Sequence, residues 1–199
     1  MTDNWDAAVP GDASAVPGDA SATDARGGPV DPRVDPQPVD EVDRPATFTL
    51  MAPGWRPPPR LVTQAYGFCF TPGGQVVLVV LRDGFVNLPG GQVEPGEDPS
   101  ETLSREVAEE ACARVTSSSY LACQHVWDPQ APAGPTSHYQ TRWWARVELD
   151  PWRPEHETVA RRLFPPHRAV DFLSWRRKEI VGCLMDQALV AERRMRRRR

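Results

Sequence analysis

Six consecutive apolar residues, Val76–Leu81, constrain the fold of this chain more than any other segment. A strand that is apolar at every position must be covered on both faces, because exposing either face would leave large side chains in water. Residues 61–70 are also strand-like, and a Pro-Gly-Gly turn at 72–74 separates the two segments, which predicts a hairpin. The chain is therefore expected to build a sheet with a layer on each side.

The remaining pattern predicts a mixed β-sheet between helices, which is an α/β architecture. Further strands are expected at 86–88, 115–127 and 139–149, and helices at 98–112 and 168–192. Gly90 and Gly91 fall in a loop between the strand at 86–88 and the first helix. The folded domain is expected over residues 59–178, and residues 179–199 would form the end of the last helix and an Arg-rich tail.

The first 58 residues have a different composition. They are rich in Asp and Pro, carry a tandem seven-residue repeat at 9–15 and 16–22, and have few large apolar side chains before Phe48. Such a segment buries too little apolar surface to offset its ordering entropy. We therefore expect a disordered acidic tail over residues 1–58, with a short strand at 47–51 as its one candidate element.

Charge and cysteine content exclude several classes of protein. The net charge is −4, so the whole molecule lacks the basic character of a nucleic-acid-binding protein. The four cysteines form no Cys-x-x-Cys pair, which argues against a zinc or thioredoxin-like site. We find neither a signal peptide nor an apolar run of about 18 residues, so we expect a cytoplasmic protein in a reducing compartment.

The residues from Asp98 onward predict the start of a helix. Asp98 is a good N-cap residue, Pro99 suits the first helical position, and Glu101 at the third position completes a capping box. An apolar stripe along this helix would anchor it to the sheet, and it consists of Leu103, Val107 and Ala111.

The same helix gathers three carboxylates, those of Glu106, Glu109 and Glu110, within an arc of about 100°. Like charges this close repel unless a cation binds between them, and hard oxygen ligands suit Mg²⁺ or Mn²⁺. Gly90 and Gly91, just upstream, allow the backbone to approach a ligand. The helix alone would also fit a solvated acidic face. Together with the glycines it indicates metal-assisted phosphoryl transfer.

The ordered string around this helix resembles the Nudix box. Gly91 is followed after five residues by Glu97, and after seven more by Arg-Glu-Val-Ala-Glu-Glu at 105–110. The family pattern is a Gly, five residues, Glu, seven residues, and Arg-Glu-aliphatic-any-Glu-Glu-any-Gly-aliphatic; Leu-Pro-Gly-Gly, here at 88–91, commonly precedes it. The resemblance covers residues 61–175. It implies a Nudix-type α/β/α sandwich that hydrolyses a pyrophosphate linkage in a nucleoside diphosphate joined to another group.

The resemblance also implies roles for individual residues. The carboxylates would bind Mg²⁺ or Mn²⁺, and one of them would act as general base for water attack at phosphorus. Arg105 would orient that carboxylate, Glu97 would steady the loop–helix junction, and the carbonyl of Gly90 or Gly91 would add a ligand. The implied metal ligands are Glu106, Glu109, Glu110 and Gly91, joined by Glu157 if a later loop supplies an extra acid.

That extra acid has two candidates, Glu155 and Glu157, because several family members take one from a later loop. The simpler interpretation of either residue is an ordinary surface acid. Cys112 departs from the family pattern, which has Gly there, and Ala113 replaces a larger aliphatic residue. Because the Gly normally eases the chain out of the helix, Cys112 implies a different or a strained C-terminal turn; we expect a structural variant, not a catalytic or redox cysteine.

The strand at 139–149 alternates, so Gln140, Arg142, Trp144 and Arg146 would share one face. Trp144 between two arginines would be able to stack a base, and Arg142 to hold a phosphate, which makes both candidate substrate-binding residues alongside Gly90 and Gly91. The alternative is that Trp144 packs in the core beneath a helix.

Six arginines occupy residues 193–199, beginning at Arg193. This segment can bind nucleic acid or an anionic surface, fold back on the acidic N-terminal residues, or remain a solvated helix end. An alternative to an enzyme is therefore a non-catalytic Nudix-fold domain that senses a nucleotide and contacts nucleic acid. The sequence does not select the substrate, and a homodimer remains open because dimers are common in the family.

Overall fold

The computed structural model of the chain describes residues 46–154, 156–175 and 177–197. Over these ranges it contains a mixed β-sheet and three α-helices, none of which is long and apolar enough to cross a membrane. The strands are β1 Thr47–Leu50, β2 Val62–Phe70, β3 Val76–Leu81, β4 Val86–Asn87, β5 Gly90–Gln92, β6 Ala113–Asp128, β7 Thr136–Leu149 and β8 Thr158–Phe164. The helices are α1 Pro99–Ala111, α2 Pro166–Phe172 and α3 Lys178–Arg196, and a short 3₁₀ turn spans Pro59–Leu61.

Strand β2 is the centre of the sheet. It pairs antiparallel with β3 and β5 and parallel with β7, so the predicted hairpin and the mixed character of the sheet are both confirmed. The main path runs β1-β6-β7-β2-β3-β4, and β8 pairs with β3. The parallel β2–β7 pair brings the first and last parts of the domain side by side.

Helices cover both faces of the sheet, as the apolar run of β3 requires. Val77 and Val79 pack with α1, in the cluster that contains Leu103 and Val107. Their neighbours in β3 point the other way, and Leu78 lies in the cluster formed with α2 and α3. All of these side chains are fully buried. The predicted α/β sandwich is therefore confirmed.

The domain extends further toward the N-terminus than the sequence predicts. Strand β1 pairs antiparallel with β6, as the candidate strand at 47–51 anticipated. Beyond it, the Tyr120 hydroxyl donates to the carbonyl of Trp55 over 2.6 Å. Residues 46–58 are therefore attached to the sheet and do not belong to a free tail. Residues 1–45, including the repeat, lie outside the described residues.

Two helices stand where the sequence predicts one helix at 168–192. The chain leaves α2 at Leu173, and the backbone N–H of Ser174 donates to the carbonyl of Val86 while the Ser174 hydroxyl accepts from the Val86 N–H. Lys178 donates to carbonyls at the end of α2, including that of Leu173. These contacts with β4 interrupt the helix because they satisfy backbone groups outside a helical ladder.

Helix α3 belongs to the domain along its length, so a boundary at residue 178 is too early. Glu192, near its C-terminal end, is only 4% exposed. Both of its carboxylate oxygens accept from Arg146 of β7 at 2.7 Å, and one also accepts from the Trp144 indole at 3.1 Å. Arg196, one turn later, donates to Glu192 at 2.7 Å and to the carbonyl of Pro72 at 3.2 Å.

Candidate functional site

The start of α1 positions the acidic edge of this helix, which consists of Glu106, Glu109 and Glu110. The Asp98 carboxylate accepts from the Ser100 N–H and the Glu101 carboxylate accepts from the Asp98 N–H, both at 2.9 Å, so the predicted capping box is present. Pro99 occupies the first turn. Because this end is fixed and the apolar stripe packs on the sheet, the side chains of the acidic edge face the strand that contains Gly90 and Gly91.

Arg105 joins the acids of the helix and the preceding loop. It makes a two-pronged ion pair with Glu97, at 2.8 and 3.1 Å. Its Nη1 atom donates to Glu106 at 2.9 Å and to Glu109 at 3.2 Å. Its Nη2 atom also donates to the carbonyl of Gln92 at 2.9 Å. One guanidinium therefore holds three carboxylates in a fixed arrangement.

Glu97 stabilises the loop that leads into the helix. Besides Arg105, it accepts from the Thr102 hydroxyl at 2.7 Å and from the Glu94 N–H at 3.1 Å. The hydrogen bond from Arg105, followed by that from Thr102, lowers the pKa of Glu97 to about 2. Glu97 therefore stays ionised and ties the loop to the helix through these hydrogen bonds.

Gly90 and Gly91 lie in strand β5 and not in a loop, which corrects the sequence-based expectation. They pair with Tyr66 and Ala65 of β2. A β-carbon on Gly91 would lie 2.3 Å from a carboxylate oxygen of Glu106, and one on Gly90 would lie 2.2 Å from the carbonyl of Ala65. Glycine is required at Gly90, where φ is +147° and the backbone of β2 leaves no room for a β-carbon; at Gly91 a β-carbon would displace the carboxylate of Glu106.

Glu110 is the most buried of the three helix acids. Its carboxylate accepts from the Gly90 N–H at 3.0 Å. Burial is the main cause that raises the pKa of Glu110 to about 7; the Gly90 hydrogen bond opposes it, and the charges of Glu106, Glu157 and Glu109 add to it. Burial likewise raises the pKa of Glu106. Glu157 is exposed but close enough to act on Glu110 electrostatically.

A cleft of about 630 Å³ opens on the sheet face opposite α1, whereas the three acids belong to α1 itself. Tyr66 connects the two regions: it pairs with Gly90, and the charges of Glu110 and Glu106 both act on its phenol. The guanidinium of Arg142 lies between two rings, 5.0 Å from the centre of Tyr66 and 4.8 Å from that of Trp175. Trp175 is held by Asn87, which accepts from its indole at 3.0 Å.

The donor set fits a hard divalent cation chemically. Three carboxylates share one helix edge, and the missing β-carbon of Gly91 leaves room beside Glu106. Within the described part of the chain, however, no three acidic, His or Cys side chains converge as a ready metal cluster. One oxygen each of Glu106 and Glu109 accepts from Arg105, and one oxygen of Glu110 accepts from the Gly90 N–H.

The family model described as "NUDIX domain" matches residues 61–182. This chain belongs to the Nudix hydrolase family. The matched segment contains the acidic helix, the glycines of β5 and most of the residues that line the cleft. Members of the family generally use divalent metals, as the acidic edge suggests.

Solved structures share the fold. A mutant of the Bacillus subtilis pyrophosphohydrolase BsRppH is 23% identical, with 74% of this chain and 90% of that chain covered and a TM-score of 0.57. A Nudix hydrolase from Nitrosomonas europaea is 21% identical, covers 65% and 88% of the two chains, and has a TM-score of 0.51. No curated protein matches this Nudix chain by sequence.

The two candidate substrate-binding residues of β7, Arg142 and Trp144, have different surroundings in the structure. Arg142 lines the cleft, although it is only 2% exposed. Trp144 is 1% exposed, lies in the core beneath α3 and donates to Glu192. The core-packing alternative therefore holds for Trp144, and its ring is not available to stack on a base. Both faces of β7 are covered, so alternation alone could not distinguish a cleft from a core.

Several cleft residues were not singled out from the sequence. Tyr66 and Asn87 lie on short or central strands whose apolar pattern suggested only core packing, and Trp175 lies in the break between α2 and α3. The sequence predicts a continuous helix over residues 168–192, which includes Trp175. The sequence offers one signal for Asn87, which is a polar residue after Val86 and directly before the Leu-Pro-Gly-Gly segment.

Cys112 adopts the strained alternative for the end of α1. It has φ 44° and ψ 55°, and it is the one non-glycine residue with a positive φ in the described ranges. Its carbonyl accepts from the Asp150 N–H at 2.9 Å and from Arg161 at 2.7 Å, and its sulfur accepts from the Arg153 N–H at 3.4 Å. These contacts hold a left-handed conformation that costs a non-glycine residue about 1–2 kcal/mol.

We expect Cys112→Gly to stabilise this Nudix domain and to retain activity. Removing the strain should raise the melting temperature by about 2–4 °C, part of the gain being offset by the greater freedom of glycine in the unfolded chain. Thermal unfolding checks this, with Cys112→Ala as the matched control, because alanine keeps the β-carbon and the strain. Loss of turnover in a folded Cys112→Gly protein would show that the cysteine has a catalytic role.

Proposed function

We propose that this Nudix protein hydrolyses a phosphoanhydride bond in a nucleoside diphosphate derivative, with Mg²⁺ or Mn²⁺ as cofactor. The observation that supports it most is the Arg105 network, which holds the acids of the Nudix box beside the strand of Gly90 and Gly91. A protein that merely bound a nucleotide would not require this complete set of carboxylates.

In this proposal Glu106, Glu109 and Glu110 supply the metal ligands, with the carbonyl of Gly90 or Gly91 and the nearby Glu157 as further candidates. A bound divalent cation would neutralise phosphate charge and activate water. One of the three helix acids accepts the proton of the water that attacks phosphorus. Arg105 and Glu97 position these acids. Arg105 contacts one oxygen of Glu106 and one of Glu109, so the second oxygen of each carboxylate would bind the metal.

The cleft would hold the remainder of the substrate. Arg142 supplies a positive charge within it, 5.0 Å from the ring centre of Tyr66, and the charges of Glu110 and Glu106 act on the phenol of that tyrosine. We place a phosphate of the substrate there. The non-catalytic alternative, with residues 193–199 bound to nucleic acid, has less support. Arg196 is engaged inside the domain by Glu192 and the Pro72 carbonyl.

The test is metal-dependent turnover across a panel of nucleoside diphosphate derivatives, read by mass spectrometry. We expect hydrolysis that requires Mg²⁺ or Mn²⁺ and stops with chelator. Running the reaction in ¹⁸O-labelled water should place one label in a phosphate product, which identifies attack at phosphorus. If the folded protein hydrolyses none of the compounds with either metal, the proposal is wrong and a binding function takes its place.

A further inference from the structure

Gln124 lies on the floor of the cleft, two strands away from Tyr66. It occupies β6, opposite Gln140 of β7 on one side and Leu50 of β1 on the other. Its side chain is only 5% exposed, and it lines the cleft. Among the groups that the structure describes, none donates to its buried Oε1 atom.

A buried amide oxygen without a donor is costly. Leaving such an acceptor unsatisfied costs about 1–3 kcal/mol, which an apolar residue at the same position would avoid. The neighbouring positions of the cleft are also polar, since Gln64 and Gln140 line it with Arg142. A polar floor of this kind is built to face a polar ligand and not to pack against α3.

The position of Gln124 relative to the acids suits one part of a nucleotide. Strand β2, with Tyr66 beside Gly90, is followed across the sheet by β7 with Arg142, and then by β6 with Gln124. Neighbouring strands are about 4.8 Å apart, so Gln124 lies roughly 10 Å across the sheet from β2. A nucleotide whose phosphates lie at the β2 and β5 side of the cleft, near Tyr66 and Gly90, would therefore place its base over Gln124.

We propose that Gln124 recognises the nucleobase of the substrate and selects adenine. This rests on the proposed function, because it assumes that the cleft binds a nucleotide. A carboxamide presents an acceptor beside a donor, which complements the amino group and the adjacent ring nitrogen of adenine. Guanine is read most often by a guanidinium, and that of Arg142 is engaged with the Thr141 carbonyl and Gln140.

Aromatic side chains along the cleft complete the base site. Phe48 and Phe85 line it from β1 and from the residue before β4, and Trp175 lines it from the break between the helices. Stacking on such rings contributes about 1–3 kcal/mol per base and does not distinguish bases from one another. Affinity for any base would therefore come from the rings, whereas preference among bases would come from Gln124.

Nucleoside monophosphates test this without any hydrolysis, because they lack the anhydride bond. We would measure binding of AMP, GMP and purine riboside 5′-monophosphate, which lacks the amino group, to the full chain by isothermal titration calorimetry. AMP should bind about tenfold more tightly than either of the others. Equal affinity for AMP and purine riboside monophosphate, or tighter binding of GMP, would overturn the assignment of adenine.

Gln124→Leu supplies the matching variant. It removes an unsatisfied acceptor, so the protein should remain folded, and AMP should bind no more tightly than purine riboside monophosphate. Gln75→Leu, at an exposed position in the β2–β3 turn, is the control and should keep the preference. If Gln124→Leu still binds AMP more tightly than purine riboside monophosphate, another residue determines the selectivity and the proposal for Gln124 is wrong. Failure of the hydrolysis assay with a preserved AMP preference would reject the enzyme but not this site.

Discussion

Glu110→Gln should reduce turnover by about 10²–10⁴-fold, because it removes one charge from the acidic edge that binds metal and handles the proton of the attacking water. Glutamine can still accept the hydrogen bond from the Gly90 N–H through its amide oxygen, so the local geometry is kept. The measurement is kcat on whichever derivative the wild-type protein hydrolyses, at saturating Mg²⁺. Glu179→Gln, on an exposed residue in the first turn of α3, is the matched control.

The same substitution should stabilise the metal-free protein at pH 8. The pKa of Glu110 is raised to about 7, so folding favours its protonated form. Its contribution to the free energy of unfolding is therefore present at low pH and is lost as pH rises from about 4.5 to 7; the shift corresponds to at most about 3 kcal/mol. With chelator present, Glu110→Gln should unfold at higher denaturant than wild type at pH 8, and the difference should shrink at pH 5.

If Glu110→Gln lowers turnover but raises stability, the Glu110 carboxylate is required for the reaction although its ionised form destabilises the fold. If Glu110→Gln turns over at the wild-type rate, Glu110 is neither a necessary ligand nor the base. If it loses stability at pH 8, its carboxylate is stabilised by contacts beyond the Gly90 hydrogen bond.

Glu192→Ala should lower the free energy of unfolding by about 3–5 kcal/mol. It leaves the guanidinium of Arg146, whose side chain is 7% exposed, buried without its two-pronged partner, and it removes the acceptor of the Trp144 indole. Burial alone would raise the pKa of Glu192, but hydrogen bonds from Arg196 and Arg146 outweigh it and lower the pKa. The stabilisation is therefore present near neutral pH and lost in acid.

Chemical denaturation measures this loss. Arg196→Ala is the control, because Arg196 pairs with the same carboxylate from a side chain that is 47% exposed and should contribute less than about 1 kcal/mol. The double variant Arg146→Met with Glu192→Leu should recover much of the stability, since it removes both buried charges together. A Glu192→Ala protein as stable as the control would mean that α3 is not anchored through this pair.

Local chemistry determined the features that the sequence predicted well. The Asp98 and Glu101 capping box needs only neighbouring residues, so the start of α1 could be located from the sequence. The alternation along β7 placed Trp143 and Trp144 on opposite faces, and the structure places them in opposite core clusters. The acids of the Nudix box were likewise predicted as a group, because helical spacing alone brings them together.

Tertiary contacts determined what the sequence did not predict. Two glycines and a glutamine carry no strand preference, and β5 exists because Gly90 and Gly91 pair with β2. The last helix breaks because Ser174 bonds to Val86, which lies far away in the sequence. In the sequence, Glu192 resembles an ordinary surface acid at the end of a helix. Only the fold shows that Arg146 of β7 lies opposite its carboxylate.

The pairing of β5 has a consequence for how the site can move. Its backbone is tied to β2 from Gly90 to Gln92, and the Gly67 and Val93 N–H groups extend that ladder to the Pro89 and Thr63 carbonyls. A displacement of this backbone would break its hydrogen bonds to the central strand, which should slow the exchange of the amide hydrogens that make them. When a substrate binds, we expect the side chains of the acids and the segment around Trp175 to move. The backbone of Gly90 and Gly91 should keep its position.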